Sequence, residues 1–184
     1  MSERMEELVL NEIEHRFRGI KSIADRALEQ VEGEELFITI DEGSNSIAVL
    51  MKHMAGNMLH NWGDPFTLGE EKPERNRDSE FIIEAGDSEE EIHRRWEEGW
   101  RTLFEALGGL EGEDLTKTVR IRWRDYTLMQ ALSRQIVHYS LHAGQIVLLA
   151  KHIRGEEWRT LSIPRGKSKE YNERLRRERT GRSR

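Results

Sequence analysis

The chain has 184 residues, of which 36% are hydrophobic and 35% charged, and this mixture favours one domain of long helices with charged outer faces over a β-sandwich. The absence of cysteine excludes disulfides, a thiolate nucleophile within the chain and cysteine-ligated zinc, so a bound metal needs histidine, carboxylate or water ligands. The net charge of −6 argues against a nucleic-acid partner.

The first predicted element is a charged amphipathic helix from about Glu3 to Gln30, in which apolar residues recur at steps of three to five. Its charge distinguishes it from a signal peptide, and no apolar run approaches the ~20 residues that span a bilayer. We therefore expect a cytoplasmic protein with no membrane contact. After a short connector, Ser44 is the predicted N-cap of a second helix from about Asn45 to Trp62.

The middle of the chain, residues 63–87, is a 25-residue stretch without helical periodicity. A loop of this length is uncommon unless it has a function or wraps the core. A third helix is predicted to begin near Ser88, behind acidic residues, and to stop at Gly108. Apolar and charged residues then alternate over residues 117–128, which predicts a short strand or extended ribbon.

The fourth predicted helix covers about Thr127 to Ile153. Four long helices, with the one long connection between the second and third, predict an all-α four-helix bundle over residues 1–164. Residues 165–184 form a basic tail with nine basic and three acidic residues, whereas the preceding body has 20 basic and 32 acidic residues and a net charge of −12. The tail either contacts nucleic acid or an acidic membrane, or is a solvated, frayed end, and we favour the second interpretation.

Polar residues occupy one stripe of the fourth helix, on a side that its apolar neighbours predict to be buried. At about 100° per residue, Arg134, Gln135, His142 and Gln145 fall on the same side as His138. The two histidines are one turn apart, so their imidazoles can converge on one metal ion. The alternative is a pair of partly buried histidines that hydrogen-bond to their neighbours. The spacing leaves both open, although unpaired buried polar groups would each cost about 1–3 kcal/mol.

The second helix offers a third imidazole, from His53 or from His60 two turns further along the same face. Three histidines would leave one or more positions for water or substrate, which is typical of catalytic metal sites. Asn57 and Gln145 are expected to orient imidazole nitrogens or, alternatively, to make capping or core hydrogen bonds. The remaining histidines stand isolated among charged residues and are expected to be exposed: His15, His93 and His152.

Five segments carry a resemblance to a known family: MKHMAGNMLHNWGDPF, GEEKPERNRDSEF, RRWEEGWRTLFEAL, RQIVHYSLHAGQIVLLAKHI and SIPRGKSKEYN. Over nearly the whole chain they resemble the DinB/YfiT-like superfamily, in a branch of about this length. The resemblance implies a four-helix bundle with an up-down-down-up course and a long crossover between helices two and three. It also implies a divalent metal, most often zinc or nickel, bound by His53, His138 and His142.

The resemblance further implies an activity. Relatives of known function are thiol-dependent transferases or isomerases that use bacillithiol, mycothiol or glutathione, with the metal activating the thiol. Because this chain has no cysteine, the sulfur would come from the cosubstrate, and Arg134 would hold an anionic group of the thiol or substrate. Our first hypothesis is a metal-dependent thiol S-transferase or small-molecule hydrolase, in which Arg134, Gln145 and Asn57 contact the cofactor or cosubstrate. No carboxylate can be assigned as general base.

The second hypothesis is a non-catalytic helical bundle that the metal stabilises and that dimerises. Bundles with a tryptophan-bearing helix often self-associate, so we expect a homodimer. Three tryptophans are expected in the core or at the dimer contact: Trp96, Trp100 and Trp123.

The long loop also has two interpretations. Lys72, Arg75 and Arg77 either belong to a lid that meets an anionic substrate, or pair with the excess acidic residues and tie the loop to the bundle. We favour the second.

Overall fold

The protein is mostly helical, with five α-helices and one two-stranded sheet in residues 2–67 and 75–181, which the computed structural model describes. The elements in chain order are α1 (Ser2–Leu28), α2 (Ile47–Trp62), α3 (Glu89–Gly108), β1 (Thr118–Ile121), β2 (Arg124–Thr127), α4 (Leu128–Arg154) and α5 (Ser168–Gly181). Within the described ranges, no helix combines the length and apolarity that a membrane span requires.

The helix N-termini follow capping chemistry, with one correction to the sequence analysis. Ser46, not Ser44, caps α2, because its hydroxyl accepts the Val49 N–H at 3.3 Å. The Ser44 hydroxyl instead donates to Asp41 in the preceding turn, at 2.7 Å. The expected start of α2 is therefore two residues too early. Ser88 caps α3 by accepting from a backbone N–H at 3.2 Å, at the position that the sequence predicted.

The long helices pack in pairs around one apolar core. α1 contacts α4 and α2 contacts α3, while α2 also contacts α4. Trp96 and Trp100 are buried in this core. α2 and α3 approach closely at Gly99, where a β-carbon would lie 2.9 Å from the Ala55 Cα. The glycine therefore sets the distance between these two helices.

The segment before α4 is a β-hairpin and not the single strand or ribbon that the alternation predicted. β1 and β2 pair antiparallel from Thr118↔Thr127 to Ile121↔Arg124. The two turn residues, Arg122 and Trp123, both have positive φ, 50° and 64°, which is the type I′ geometry usually supplied by Asn-Gly. Trp123 is 71% exposed at this tip, so it does not lie in the core, and the other expected position, a dimer contact, stays a prediction.

A buried lysine on α2 binds the part of the α2–α3 connection that precedes α3. Lys52 donates to the Ile82 carbonyl at 2.9 Å and to the Asp87 carboxylate at 2.6 Å. Arg95 of α3 lies 3.3 Å from the other Asp87 oxygen. These contacts hold residues 75–88 against α2 and α3. Lys72, in the loop prediction, lies outside the described residues.

The basic tail contains a helix that the sequence analysis did not predict. All of α5 is exposed except for Tyr171, which is half-buried, among the residues whose burial is described. The last part of the predicted tail, residues 182–184, lies outside the described residues.

Candidate metal centre

Three imidazoles meet between α2 and α4. His53 comes from the middle of α2, and His138 and His142 lie on successive turns of α4. The Nε2 atom of His138 lies 3.3 Å from Nε2 of His53 and 3.1 Å from Nε2 of His142. All three potential ligand nitrogens lie within 4.8 Å of one another. The structure thus brings together the three histidines that the sequence analysis selected.

Each of the three rings has an oxygen acceptor on its opposite nitrogen. Glu80 Oε2 lies 2.9 Å from Nδ1 of His53, Gln135 Oε1 lies 3.1 Å from Nδ1 of His138, and Gln145 Oε1 lies 2.7 Å from Nδ1 of His142. A hydrogen on each Nδ1 satisfies all three contacts and leaves each Nε2 with a lone pair. Three lone pairs then face one another, an arrangement that a cation stabilises.

The spacing of these nitrogens fits a divalent ion. Zinc–imidazole bonds of about 2.0–2.1 Å at tetrahedral angles place neighbouring nitrogens about 3.3 Å apart. The observed separations of 3.3 and 3.1 Å from His138 match that value. Three neutral imidazoles also leave at least one coordination position for a further ligand. The residues present therefore fit a three-histidine metal site.

Glu80, like Gln135, belongs to the candidate site but is absent from the site residues that the sequence predicted. It accepts from His53 and also from Arg75, whose Nε and Nη2 atoms each lie 2.6 Å from a different Glu80 oxygen. Gly56 makes room for this carboxylate, since a β-carbon there would lie 2.9 Å from Glu80 Cδ. Burial raises the pKa of Glu80, but the hydrogen bonds from His53 and Arg75 outweigh it and hold the pKa below its ordinary value. Glu80 is therefore ionised, and its carboxylate orients the ring of His53.

A family model matches most of the chain. It covers residues 4–167 and describes a protein of unknown function, DUF1572. The chain belongs to the DUF1572 family. No curated protein matches the sequence. Membership of the DinB/YfiT-like superfamily stays a prediction.

His138 and His142 of this DUF1572 protein are held in the neutral form, the form in which an imidazole can bind a metal. The pKa of His138 is lowered to about 3, mainly by burial. The neighbouring imidazoles and the guanidiniums of Arg134 and Arg75 lower it further. Burial is also the main cause that lowers the pKa of His142, and Arg77 contributes to it. At neutral pH both rings are therefore uncharged, and each Nε2 keeps its lone pair.

The other predicted site residues of the DUF1572 protein occupy different surroundings. Gln145 contacts His142 as described, whereas Arg134 is exposed one turn before His138. Asn57 accepts from the Tyr139 hydroxyl at 2.8 Å and from the Asn61 amide at 3.0 Å, which is the core hydrogen-bonding alternative. Its role in cofactor binding stays a prediction. Gln135, on the polar stripe of α4, is buried and contacts Nδ1 of His138.

The remaining histidines lie away from the triad. His60 lines a pocket of about 790 Å³ between α2, α3 and their connection, and Arg75 and Glu80 line the same pocket. His15 and His152 are exposed, as expected, and His93 is half-buried. Arg75 takes the structural role that the sequence analysis favoured for the loop arginines, because it pairs with Glu80.

Proposed function

We propose that this DUF1572 protein is an enzyme that binds one divalent cation through the Nε2 atoms of His53, His138 and His142. The observation that carries the proposal is the convergence of three Nε2 lone pairs while every Nδ1 meets an oxygen. Imidazole ligands suit several transition metals, and we propose zinc or nickel.

We further propose that α1–α4 form a four-helix bundle of the DinB/YfiT-like type, with an up-down-down-up course, over residues 1–164. The pairing of α1 with α4 and of α2 with α3 supports this topology, as does the long connection between α2 and α3. The exposed position of α5 supports the assignment of residues 165–184 to a separate tail.

The reaction that we propose is thiol S-transfer, with hydrolysis of a small molecule as the other chemistry of the same site. A bound divalent ion supplies Lewis acidity and lowers the pKa of a thiol or water that it coordinates. The chain has no cysteine, so the thiol is a low-molecular-weight cosubstrate of the bacillithiol, mycothiol or glutathione kind.

The role of the chain's own residues is mainly to orient the ligands. Glu80, Gln135 and Gln145 fix the three ring planes through Nδ1. Glu80 is a positioning residue and not a general base, because Arg75 and His53 occupy both of its oxygens.

A second candidate function is a metal-stabilised dimer without catalysis, favoured by an exposed apolar stripe on α4. Val137, Leu141 and Leu148 are 70%, 61% and 62% exposed, and their spacing places them on one helix face. Such a face fits a second copy of the chain. Light scattering tests this dimer. We expect the mass of a dimer for the wild-type protein and of a monomer for Leu141→Glu.

Elemental analysis of protein purified without a histidine tag tests the metal proposal. We expect about one zinc or nickel ion per chain, lost in His53→Ala and His138→Ala and retained in the matched control His152→Ala, an exposed histidine of α4. Absence of metal from wild-type protein, including after incubation with zinc, contradicts the proposal. If His53→Ala unfolds the chain, the ion is structural; if the fold persists, the enzymatic role stands.

Assays with the metal-loaded protein then test the chemistry. Bacillithiol or glutathione with an electrophile such as 1-chloro-2,4-dinitrobenzene should give metal-dependent conjugation, and His138→Ala should abolish it. A metal-loaded protein without conjugation or hydrolysis would leave the dimerising alternative.

A further inference from the structure

We infer that the substrate of this centre carries an anionic oxygen group, a carboxylate or phosphate, and that the guanidiniums of Arg77 and Arg134 bind it at the rim of the three-histidine site. The inference rests on the proposed function and specifies its substrate class.

Arginines outnumber carboxylates near the triad, whereas acidic residues are in excess in residues 1–164. Residues 1–164 contain 20 basic and 32 acidic residues, yet three arginines act electrostatically on the α4 imidazoles. Arg75 and Arg134 act on His138, and Arg77 acts on His142. The metal centre therefore lies at a local cationic point of an acidic protein, which favours a small anion over a cation.

Arg75 is not available to a substrate. Its side chain is 15% exposed, and both of its engaged nitrogens contact Glu80 at 2.6 Å. The pair has no net charge, so it contributes little to anion binding. The anion-binding role falls to the other two arginines.

Arg77 contacts the ring of Phe81, which in turn contacts the ring of His53. Its guanidinium carbon lies 4.6 Å from the Phe81 ring centroid, and the Phe81 ring lies 4.7 Å from the ring of His53. The nearest carboxylate, of Asp78, lies 3.9 Å from Arg77 Nη1, beyond hydrogen-bond distance, and its side chain is 95% exposed. Phe81 therefore lies between Arg77 and His53, and the loose ion pair with Asp78 leaves N–H donors of the guanidinium available to an anion.

Arg134 is an exposed residue of α4 whose guanidinium acts electrostatically on His138. It lies one helical turn before His138, and neither Gln130 nor His138, its neighbours at four residues, is acidic. Among residues 2–67 and 75–181, no carboxylate forms an ion pair with it. Some other exposed arginines are paired, for example Arg18 with Glu14 at 2.6 Å, whereas Arg26 and Arg124 form no ion pair with a described residue, so what distinguishes Arg134 is its place beside His138. An unpaired arginine in a protein with excess acid, next to a metal ligand, is an anion site that the chain itself does not fill.

The donor set of the centre strengthens this selectivity. Three neutral imidazoles leave the full charge of a divalent ion uncompensated, because Arg75 already neutralises Glu80. A carboxylate or phosphate can compensate that charge and accept two parallel N–H bonds from a guanidinium. A neutral compound of the same shape has neither interaction.

The test uses full-length protein loaded with cobalt(II), whose visible absorption reports on the occupied site. Benzoate and phenyl phosphate are titrated against their neutral counterparts, benzamide and phenol. We expect at least one anion to change the spectrum at concentrations where its neutral counterpart does not. Arg77→Gln and Arg134→Gln should each weaken the affinity for that anion about tenfold. Arg101→Gln, which removes an exposed guanidinium from α3, should change the affinity less than twofold.

Three results decide the matter. The pattern above supports the inference, provided that both variants keep the cobalt content and the melting temperature of the wild type. If cobalt binds but anions and neutral compounds bind alike, or if the two variants leave the anion affinity unchanged, the substrate inference is overturned and the metal proposal stands. If cobalt does not bind, the proposed function itself fails.

Discussion

Two polar clusters start from adjacent residues of α2, and they differ in how completely their members are paired. The first cluster contains Lys52, whose ammonium donates to the Ile82 carbonyl and the Asp87 carboxylate. Asp87 also forms an ion pair with Arg95. Every charge in that cluster has an opposite partner. His53 leads to the second, where three like groups present lone pairs to one another.

The difference separates structure from function. A buried ion pair that is internally complete needs nothing from outside the chain, so Lys52 and Asp87 act to hold the α2–α3 connection. In the histidine cluster, every Nδ1 atom has a hydrogen-bond partner, which is Glu80 or one of the two glutamines. The Nε2 atoms face only one another and lack such a partner. Four predictions test this contrast, from the largest effect to the smallest.

The largest effect is expected from Lys52→Met. The substitution leaves the Asp87 carboxylate, 1% exposed, without its closest partner, and breaking a buried pair in this way costs about 3–5 kcal/mol. Urea unfolding should show this loss equally with zinc and with a chelator. The control is Arg16→Gln, which removes an exposed pair of α1 and should cost less than about 1 kcal/mol. A loss for Lys52→Met no larger than the control's would contradict the structural role.

The second prediction concerns His138→Ala. Wild-type protein in zinc at 100 times its dissociation constant should gain about 2.7 kcal/mol in free energy of unfolding. His138→Ala should gain almost nothing, because it removes the ligand that lies between the other two. Thermal unfolding with and without zinc measures both, and His152→Ala should behave as the wild type. An unchanged zinc response in His138→Ala would refute the site.

The third prediction concerns Glu80→Gln. This change keeps an oxygen near His53 Nδ1 but removes the negative charge that strengthens the imidazole as a ligand. Loss of such a partner typically weakens metal affinity 10–100-fold. A competition titration with a zinc chelator should find about tenfold weaker binding, and Glu84→Gln, 64% exposed, should leave the affinity unchanged. Equal affinities for the two variants would show that Glu80 does not support His53.

The smallest effect is the pH dependence of the metal-free protein. The pKa of His138 is lowered from 6.5 to about 3, mainly by burial, so the unfolded chain binds its proton more readily than the folded one. The free energy of unfolding should therefore be highest above pH 6.5 and fall as the pH drops towards 3. Because the side chain is only half-buried, we expect about 1 kcal/mol between pH 7 and 5. Urea titrations at both values measure it, and His138→Ala should show a shallower fall.

The sequence predicted the parts of the molecule that depend on local spacing. Periodicity located four of the helices to within a few residues, and the four-residue spacing of His138 and His142 placed both rings on one side of α4. The preference for His53 over His60 came from family resemblance, since both lie on the same face of α2. The metal-binding role of the three residues stays a prediction.

Other features depend on contacts that local patterns do not encode. Glu80 is 27 residues from His53, in a segment without periodicity, so nothing in its neighbourhood marks it as a partner. Ser44 looks as good an N-cap as Ser46 until the competing contact with Asp41 is known. The hairpin turn uses Arg122 and Trp123, which carry none of the usual turn signals.

X-ray absorption spectroscopy of the zinc-loaded, tag-free protein tests the central claim most directly, because it counts the imidazoles around the ion. We expect three at about 2.0–2.1 Å together with at least one further light-atom ligand, and two imidazoles for any ion that remains in His53→Ala. A zinc spectrum with one imidazole or none in the wild-type protein would contradict the account.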